Sequence, residues 1–334
     1  TSWKHPTSSP TAIKASPHDT RFIATHCSTP HVYVWNVQTR VNKKVTHKHN
    51  ELPDFELTGH LKEATALVWG KKDMQVISGG EDHLVVLWNA RDEDKKGNLL
   101  PHRMHFLGHK GTVTDVTFLD ETGNCFASVG NDKRLLLWDQ RAGKNATLSL
   151  MAHQEPIKSV GVNPFKSNLL MTASDDKTIQ LWDLSYLPNN GTQGRVTPLE
   201  VIHTWDAVMK AQWSPHSSDK LAFSIANQVV IYDVKLRIKA FTHYGHRYEV
   251  DGFAWNPHVG DGLMCSYSSD AVEGGSTMQI WKPLWAPLGT AEEEKELNKQ
   301  QQFIANWSQA KKTDQPGKSF AIKTTTSANK QKTK

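Results

Sequence analysis

Short apolar runs that end in an aromatic residue recur along the chain at a nearly constant interval. They read VYVWNV, VVLWNA, LLLWDQ, IQLWDL, VVIYDV and MQIWKP, and their aromatic residues are Trp35, Trp88, Trp138, Trp182, Tyr232 and Trp281. Successive aromatic residues are 53, 50, 44, 50 and 49 positions apart. Gly, Asp, Asn and Pro flank the runs, and this alternation of short apolar stretches with turn-forming residues predicts β-strands throughout.

A second motif precedes four of these runs. It reads TGH, LGH, MAH and YGH and ends at His60, His109, His153 and His246. In each case an apolar or aromatic residue follows nine positions after the histidine. Independent spacings that repeat together at this interval are typical of WD-repeat β-propellers, in which each repeat supplies the four strands of one blade. The sequence therefore predicts an all-β WD-repeat propeller with six visible repeats.

The ends of the chain depart from this pattern. The first repeat is weak and the chain starts at Thr1 rather than at a methionine, so we expect a seven-bladed ring whose first blade is incomplete in this sequence, and a six-bladed ring is the alternative. The propeller is predicted over residues 1–285. Residues 286–312 are predicted to form a helical extension, because its acidic start and basic end suit the helix dipole. Residues 313–334 have few apolar side chains, which predicts a basic disordered tail.

A histidine, a hydroxyl residue, an aspartate and a tryptophan recur together four times at the spacing of the repeats. The four sets are His60, Ser78, Asp82 and Trp88; His109, Ser128, Asp132 and Trp138; His153, Thr172, Asp176 and Trp182; and His246, Ser266, Asp270 and Trp281. A catalytic site needs one such set, whereas four copies indicate architecture. We expect the aspartate to accept from the histidine, the histidine to bond the hydroxyl, and the hydroxyl to accept from the indole N–H.

Composition and charge exclude several classes of function. The formal net charge of +5 is too small to indicate a nucleic-acid-binding protein, so we expect no specific nucleic-acid partner. The chain has no apolar run of about 18 residues, and we expect no membrane span. Its three cysteines are scattered, which predicts neither disulfides nor a metal site. The absence of a P-loop, a GxGxxG motif and an HExxH motif predicts that the protein is not an enzyme and binds no cofactor.

Three segments go beyond a generic WD repeat. They are VNPFKSNLLMTASDDKTIQLWDLSYL, AQWSPHSSDKLAF and DGFAWNPHVGDGLMCSYSSD, and they resemble the retinoblastoma-binding, MSI-like histone-binding family over roughly residues 11 to 285. The run SSDAVEGGSTMQIWKPLW is most similar to the plant FVE-type branch of that family. Members are subunits of chromatin assembly factor, Polycomb repressive and histone deacetylase complexes. The resemblance implies a nuclear, non-enzymatic regulator of transcription that binds histone tails and short basic peptides of partner subunits.

The resemblance implies two binding surfaces. The first is a groove between an N-terminal helix and an acidic loop. That helix would lie before Thr1, and IYDVKLRIKAFTHYGH leaves no room for the loop, so we expect this groove to be absent or altered. The second is the end of the central channel, at the third and fifth positions after each blade histidine. The predicted peptide-binding residues there are Glu63, Thr65, Thr112, Thr114, Lys158, Met209, Glu249 and Asp251, with Pro156 and Ala207 at the two remaining positions. In the fifth repeat, where His203 is one place out of register, Ala207 and Met209 are assigned by register with Trp213. Three carboxylates could pair with Arg and Lys of a tail.

A third motif suggests an alternative function. LWDQR, which ends at Arg141, fits the WDxR pattern with which some propellers dock on the damaged-DNA-binding adaptor of cullin ubiquitin ligases. Asp139 and Arg141 are therefore candidate adaptor-docking residues, and the alternative function is that of a substrate receptor of such a ligase. The competing interpretation is that Arg141 is an ordinary solvated residue at a strand end.

Overall fold

A computed structural model describes residues 10–17, 19–38, 53–71, 74–90, 99–186, 197–258, 262–269 and 276–283. These residues form 24 β-strands and one short 3-10 turn, Leu184–Tyr186. The strands pair into six sheets, one for each repeat found in the sequence. The prediction of an all-β WD-repeat propeller with six visible repeats is therefore confirmed.

Each sheet is one blade, numbered here in chain order. Blade 1 contains β1 (Ala12–Ala15), β2 (Phe22–His26), β3 (Val32–Asn36), β4 (Phe55–Thr58) and β8 (Leu99–Pro101). Blade 2 contains β5 (Ala64–Trp69), β6 (Gln75–Gly80), β7 (Leu84–Asn89) and β9 (Met104–Leu107). Blade 3 contains β10 (Val113–Phe118), β11 (Cys125–Gly130), β12 (Arg134–Asp139) and β13 (Leu148–Met151). Blade 4 contains β14 (Ile157–Val162), β15 (Leu169–Ser174), β16 (Thr178–Asp183) and β17 (Glu200–His203). Blade 5 contains β18 (Val208–Trp213), β19 (Lys220–Ile225), β20 (Gln228–Asp233) and β21 (Ile238–His243), and blade 6 contains β22 (Val250–Trp255), β23 (Met264–Ser268) and β24 (Thr277–Trp281).

The first strand of blades 2 to 6 carries the same irregularity. In each, the register with the second strand shifts after the first residue, as between Val113 and Asp115 or between Ile157 and Ser159. A bulge of this kind leaves one residue unpaired and re-aims its side chain. The residues at the five bulges are Thr65, Thr114, Lys158, Met209 and Asp251. The bulges explain why these five positions reach the central channel, as described below.

The apolar cores lie between successive blades. Ile77 and Leu87 of blade 2 belong to the same buried cluster as Val116 and Trp138 of blade 3. Phe126 stacks on Trp138 within that cluster, with ring centroids 5.8 Å apart. Because both faces of most blades are covered in this way, their middle strands are buried on almost every residue, which is why they read as continuous apolar runs in the sequence.

One face of blade 6 carries exposed apolar side chains, whereas the corresponding face of blade 2 is buried. Tyr267, Met278 and Ile280 are 47%, 69% and 67% exposed. The register places Met278 and Ile280 at the positions that Val85 and Leu87 occupy in blade 2, where they are 0% and 1% exposed. The described residues supply six blades, and the expected seven-bladed ring stays a prediction.

The region after the propeller forms a second unit. The chain divides into Thr1–Pro283 and Leu284–Lys334. The predicted helical extension over 286–312 and the predicted tail over 313–334 lie outside the described residues, so both stay predictions.

Candidate functional site

The repeated polar sets form hydrogen-bonded chains inside the blades. In blade 3, Trp138 Nε1 donates to Ser128 Oγ at 2.8 Å, and Ser128 Oγ lies 2.7 Å from His109 Nε2. His109 Nδ1 lies 3.0 Å from Asp132 Oδ2. A neutral histidine protonated on Nδ1 satisfies every link, because it donates to the aspartate and accepts from the hydroxyl. The imidazole is fully enclosed, which suits a structural group and leaves no room for a substrate.

The other three sets show the same plan with differences. Blade 4 repeats it in full, with Trp182 donating to Thr172 at 2.9 Å. In blade 2, His60 contacts both Ser78 and Asp82, but the indole of Trp88 donates to the carbonyl of Thr58 instead of the hydroxyl. In the fourth set, His246 and Trp281 meet at Ser266. Asp270 lies outside the described residues, and Thr277 Oγ1 lies 3.1 Å from His246 Nδ1.

Each turn aspartate also fixes the turn that follows it. Asp82, Asp132 and Asp176 accept from the backbone N–H two residues later, and the residue between them has a positive φ of 65° to 67°. Burial opposes the charge of these carboxylates, but the hydrogen bonds from the histidine and the backbone outweigh it. The pKa of each aspartate is therefore held below its usual value. Each aspartate therefore holds both the blade histidine and the turn between the second and third strands of its blade.

Blade 1 contains a related pair that the sequence reasoning missed. Trp35 donates to Thr25 Oγ1 at 2.8 Å, and Thr11 Oγ1 lies 2.8 Å from His26 Nδ1. A hydroxyl residue ten positions before the tryptophan, as in blades 2 to 4, was the available signal. In blade 5, where Tyr232 replaces the tryptophan, the buried Ser224 Oγ has no hydrogen-bond partner among the described residues.

The first strands of the blades enclose a central cavity of about 540 Å³. All five bulge residues line it: Thr65, Thr114, Lys158, Met209 and Asp251. Glu63, Thr112 and Glu249 are not in its lining and lie on the loops that carry the blade histidines. The predicted peptide-binding residues are thus divided between the channel wall and the loops around its mouth, and we call this end of the ring the histidine-loop end.

Four of the wall residues already have partners. The hydroxyls of Thr65 and Thr114 donate to the carbonyls of Val113 and Ile157 in the following blades, so they link blade to blade. Lys158 pairs with Asp175 at 3.2 Å. Asp251 accepts from both the N–H and the hydroxyl of Ser269 at 2.6 Å. The bonds of these four side chains therefore stabilise the strands and loops around the channel mouth.

Apolar side chains are exposed at the histidine-loop end as well as acidic ones. Glu249 is exposed and Glu63 is partly exposed. Trp205 lies in the loop between β17 and β18 and is 50% exposed, and Met209 is 41% exposed. The sequence reasoning overlooked Trp205, whose signal was a tryptophan in a loop rather than at a strand position. Exposed aromatic residues commonly anchor protein interfaces.

The candidate adaptor-docking residues lie at the other end of the ring. Arg141 follows β12, the third strand of blade 3, whereas the histidine loops follow the fourth strands. Arg141 makes a forked contact with Asp139 at 2.9 and 2.8 Å and is 65% exposed on its side chain. Arg21 makes the same contact with Asp19 in blade 1, so this pairing is not particular to the WDxR segment. Adaptor docking stays a prediction.

The described ranges contain neither a cluster of metal ligands nor a membrane-spanning helix. No group of three or more His, Cys, Asp or Glu side chains there could hold a metal ion. None of the helical segments in these ranges combines the length and apolarity needed to cross a membrane.

The repeats match a known family model. The model described as "WD domain, G-beta repeat" matches residues 52–89, 101–139 and 144–183. Together with the six blades, this match shows that the protein is a WD-repeat β-propeller. Such propellers act through protein–protein interactions.

Among curated proteins, the chain is similar to an MSI-like WD-repeat protein. The chain is 33% identical over 325 residues to "WD-40 repeat-containing protein MSI4" of Arabidopsis thaliana, a match that covers 81% of this chain and 61% of that protein. The similarity confirms the predicted resemblance to the MSI-like WD-repeat proteins, while placement in the FVE-type branch stays a prediction. The chain spans about three fifths of the length of this relative.

A solved structure shows the same fold. A chain in the "Crystal Structure of Mitotic Checkpoint Complex" superposes with a TM-score of 0.63 at 20% identity, over 81% of this chain and 76% of that one. At this level of identity the similarity concerns the fold alone.

Proposed function

We propose that the protein is a nuclear, non-enzymatic scaffold subunit of chromatin-modifying or chromatin-assembly complexes and that it binds histone tails at the histidine-loop end of its channel. The similarity to an MSI-like protein supports the chromatin setting. The absence of catalysis in the proposal rests on the repeated polar sets, whose histidines are enclosed and bonded to their own blades. The other subunits would belong to deacetylase, Polycomb or assembly-factor complexes.

The observation that carries the proposal is the combination of carboxylates and apolar side chains around the channel mouth. Glu63 and Glu249 can pair with lysine or arginine, and the exposed Trp205 and Met209 can cover the aliphatic stems of those residues. Rim charges mainly steer association and are screened by salt. We therefore expect modest affinity that decreases as salt is raised.

A titration with labelled tail peptides of the core histones, at low and near-physiological salt, tests this proposal. Glu63→Gln is expected to weaken binding about threefold to tenfold, which corresponds to about 0.7–1.4 kcal/mol. Trp205→Ala should weaken it as well, with less dependence on salt. The matched control is Glu121→Gln, because Glu121 is an exposed carboxylate near Lys71 on a loop after a first strand, at the opposite end. No saturable binding by the folded chain at low salt, or an equal loss in the control, would overturn the proposal.

A further inference from the structure

The interior of the channel has a different charge from its mouth. Lys14 of β1, Asp115 of β10 and Lys210 of β18 line the 540 Å³ cavity together with the neutral side chains of Thr117 and Gln212. They come from three strands that are far apart in the sequence. None of these residues belongs to the predicted peptide-binding set.

The one carboxylate in this group is already satisfied by neutral donors. Asp115 Oδ2 accepts from Ser159 Oγ at 3.1 Å and from the N–H of Val160 at 3.0 Å. Its Oδ1 accepts from the N–H of Val116 at 3.0 Å. Burial raises the pKa of Asp115 above its usual value, which reduces the negative charge that it can offer to a lysine.

Neither lysine of this group has an acidic partner within ion-pair distance among the described residues, although Lys210 is partly buried. Among the described residues, neither Lys14 nor Lys210 forms an ion pair, whereas Lys158 at the mouth is paired with Asp175. The ammonium of Lys210 lies 6.0 Å from the centre of the Phe253 ring, a weak contact for a cation. An unpaired cation in such a site is costly, so an anion would stabilise it.

Two of the basic groups that line the cavity, Lys210 and His26, have lowered pKa values. Burial, followed by repulsion from Lys14, lowers the pKa of Lys210 to about 8, although Asp115 opposes the shift. Burial, followed by the same Lys14 charge, lowers the pKa of His26 to about 4. Burial is the larger cause of both shifts, and the charge of Lys14 adds to it. The other carboxylate of the described wall, Asp251, accepts hydrogen bonds from Ser269.

We propose that the interior of the channel binds a small phosphate-bearing anion, with Lys14 and Lys210 as its cationic ligands and Thr117 and Gln212 as neutral hydrogen-bonding groups. The cavity lies within the usual size range of small-molecule pockets. The anion replaces the missing acidic partner of the lysines and draws together strands of blades 1, 3 and 5. The cavity is also lined by five of the predicted peptide-binding residues, but Lys14, Lys210, Thr117 and Gln212 are not among them, and this proposal does not rest on the proposed function.

Calorimetric titration of the full chain with inorganic pyrophosphate at constant ionic strength tests this proposal. One saturable site is expected, with at least a tenfold loss of affinity in Lys210→Met and in Lys14→Met. Lys166→Met is the matched control, because Lys166 is a surface lysine paired with Asp219 outside the cavity. Lys210→Met should fold, since methionine suits a buried site, and a thermal melt checks this; Lys14 is exposed, so its variant tests the same point independently.

The pH dependence provides a second readout. Lys210 must be protonated to hold the anion, so affinity should fall as the pH rises through about 8. Pyrophosphate titrates in the same range, and the comparison between the parent chain and Lys210→Met removes that contribution. The proposal is overturned if no saturable binding occurs, if more than one site fills, or if Lys166→Met loses as much affinity as Lys210→Met. Histone-peptide binding measured on the same variants distinguishes this failure from that of the proposed function.

Discussion

Removal of the aspartate of blade 4 tests whether the repeated polar sets hold the blades together. Asp176 Oδ2 accepts from His153 Nδ1 at 2.9 Å and from the N–H of Gln154 at 3.1 Å. Its Oδ1 accepts from the N–H and the hydroxyl of Thr178 at 3.0 and 2.6 Å. Asp176→Ala deletes all four contacts and leaves the enclosed His153 Nδ1 with only its longer contact to Thr178 Oγ1, at 3.2 Å.

The expected loss in the free energy of unfolding depends on which of the former donors to Asp176 can bond to water. Gln154 is exposed and Thr178 is partly exposed, so both can bond to water after the change. His153 Nδ1 cannot, because its side chain is 0% exposed. A buried donor that is left without a partner costs about 1–3 kcal/mol. Because Thr178 Oγ1 remains 3.2 Å from His153 Nδ1, we expect the free energy of unfolding to fall towards the lower end of this range, by about 1–2 kcal/mol. Asp175→Ala is the matched control: it breaks only the partly exposed pair with Lys158, which is worth about 0–1 kcal/mol.

Urea unfolding followed by tryptophan fluorescence measures both variants. A lowered pKa means that Asp176 stabilises the fold above its unfolded pKa, near 3.9, and loses this effect as the pH falls through its folded pKa. The gap between the parent chain and Asp176→Ala should therefore be full at pH 7 and shrink below about pH 4. If Asp176→Ala unfolded like Asp175→Ala at pH 7, the structural interpretation of the set would be wrong.

Two other predictions concern His26 and Arg141. The pKa of His26 is lowered to about 4, and its Nε2 is buried with no hydrogen-bond partner among the described residues. Its neutral form therefore stabilises the fold above pH 6.5, and this effect is lost as the pH falls towards 4. We expect the free energy of unfolding to drop by on the order of 3 kcal/mol over that range, and His26→Gln to reduce the drop; an unchanged drop would refute the assignment. If the protein docks on a cullin-ligase adaptor, Arg141→Ala should abolish co-purification of that adaptor, whereas Arg21→Ala, which breaks the equivalent pair with Asp19, should not.

The plan of the propeller could be predicted because it depends on local and repeated information. The aromatic residues mark the third strand of each blade, and the spacing from histidine to first strand is constant. The partners inside a set could be named in advance because they lie on consecutive segments of one repeat, as His109, Ser128, Asp132 and Trp138 do. Trp88 shows the limit of this reasoning, since its indole finds a carbonyl of the preceding blade, Thr58 O, which the pattern of its own repeat does not contain.

The roles of the channel residues depended on contacts between blades. Thr65 and Thr114 occupy the predicted positions, but a bulge turns each hydroxyl to the backbone of the following blade. Trp205 emerged as an exposed residue of the channel mouth only once the loops were in place. No spacing rule distinguishes a loop tryptophan that is exposed from one that is buried.

By itself, the sequence determined the strands, the number of visible repeats and the polar chains of blades 3 and 4, because these need only neighbours within one repeat. The tertiary structure decided what lies at the centre of the ring. Lys14, Asp115 and Lys210 are about 100 residues apart in sequence and meet only because each first strand faces the same axis. The electrostatic effect of each charge depends on its burial and on its distance from the others, and both are set only when the blades pack together.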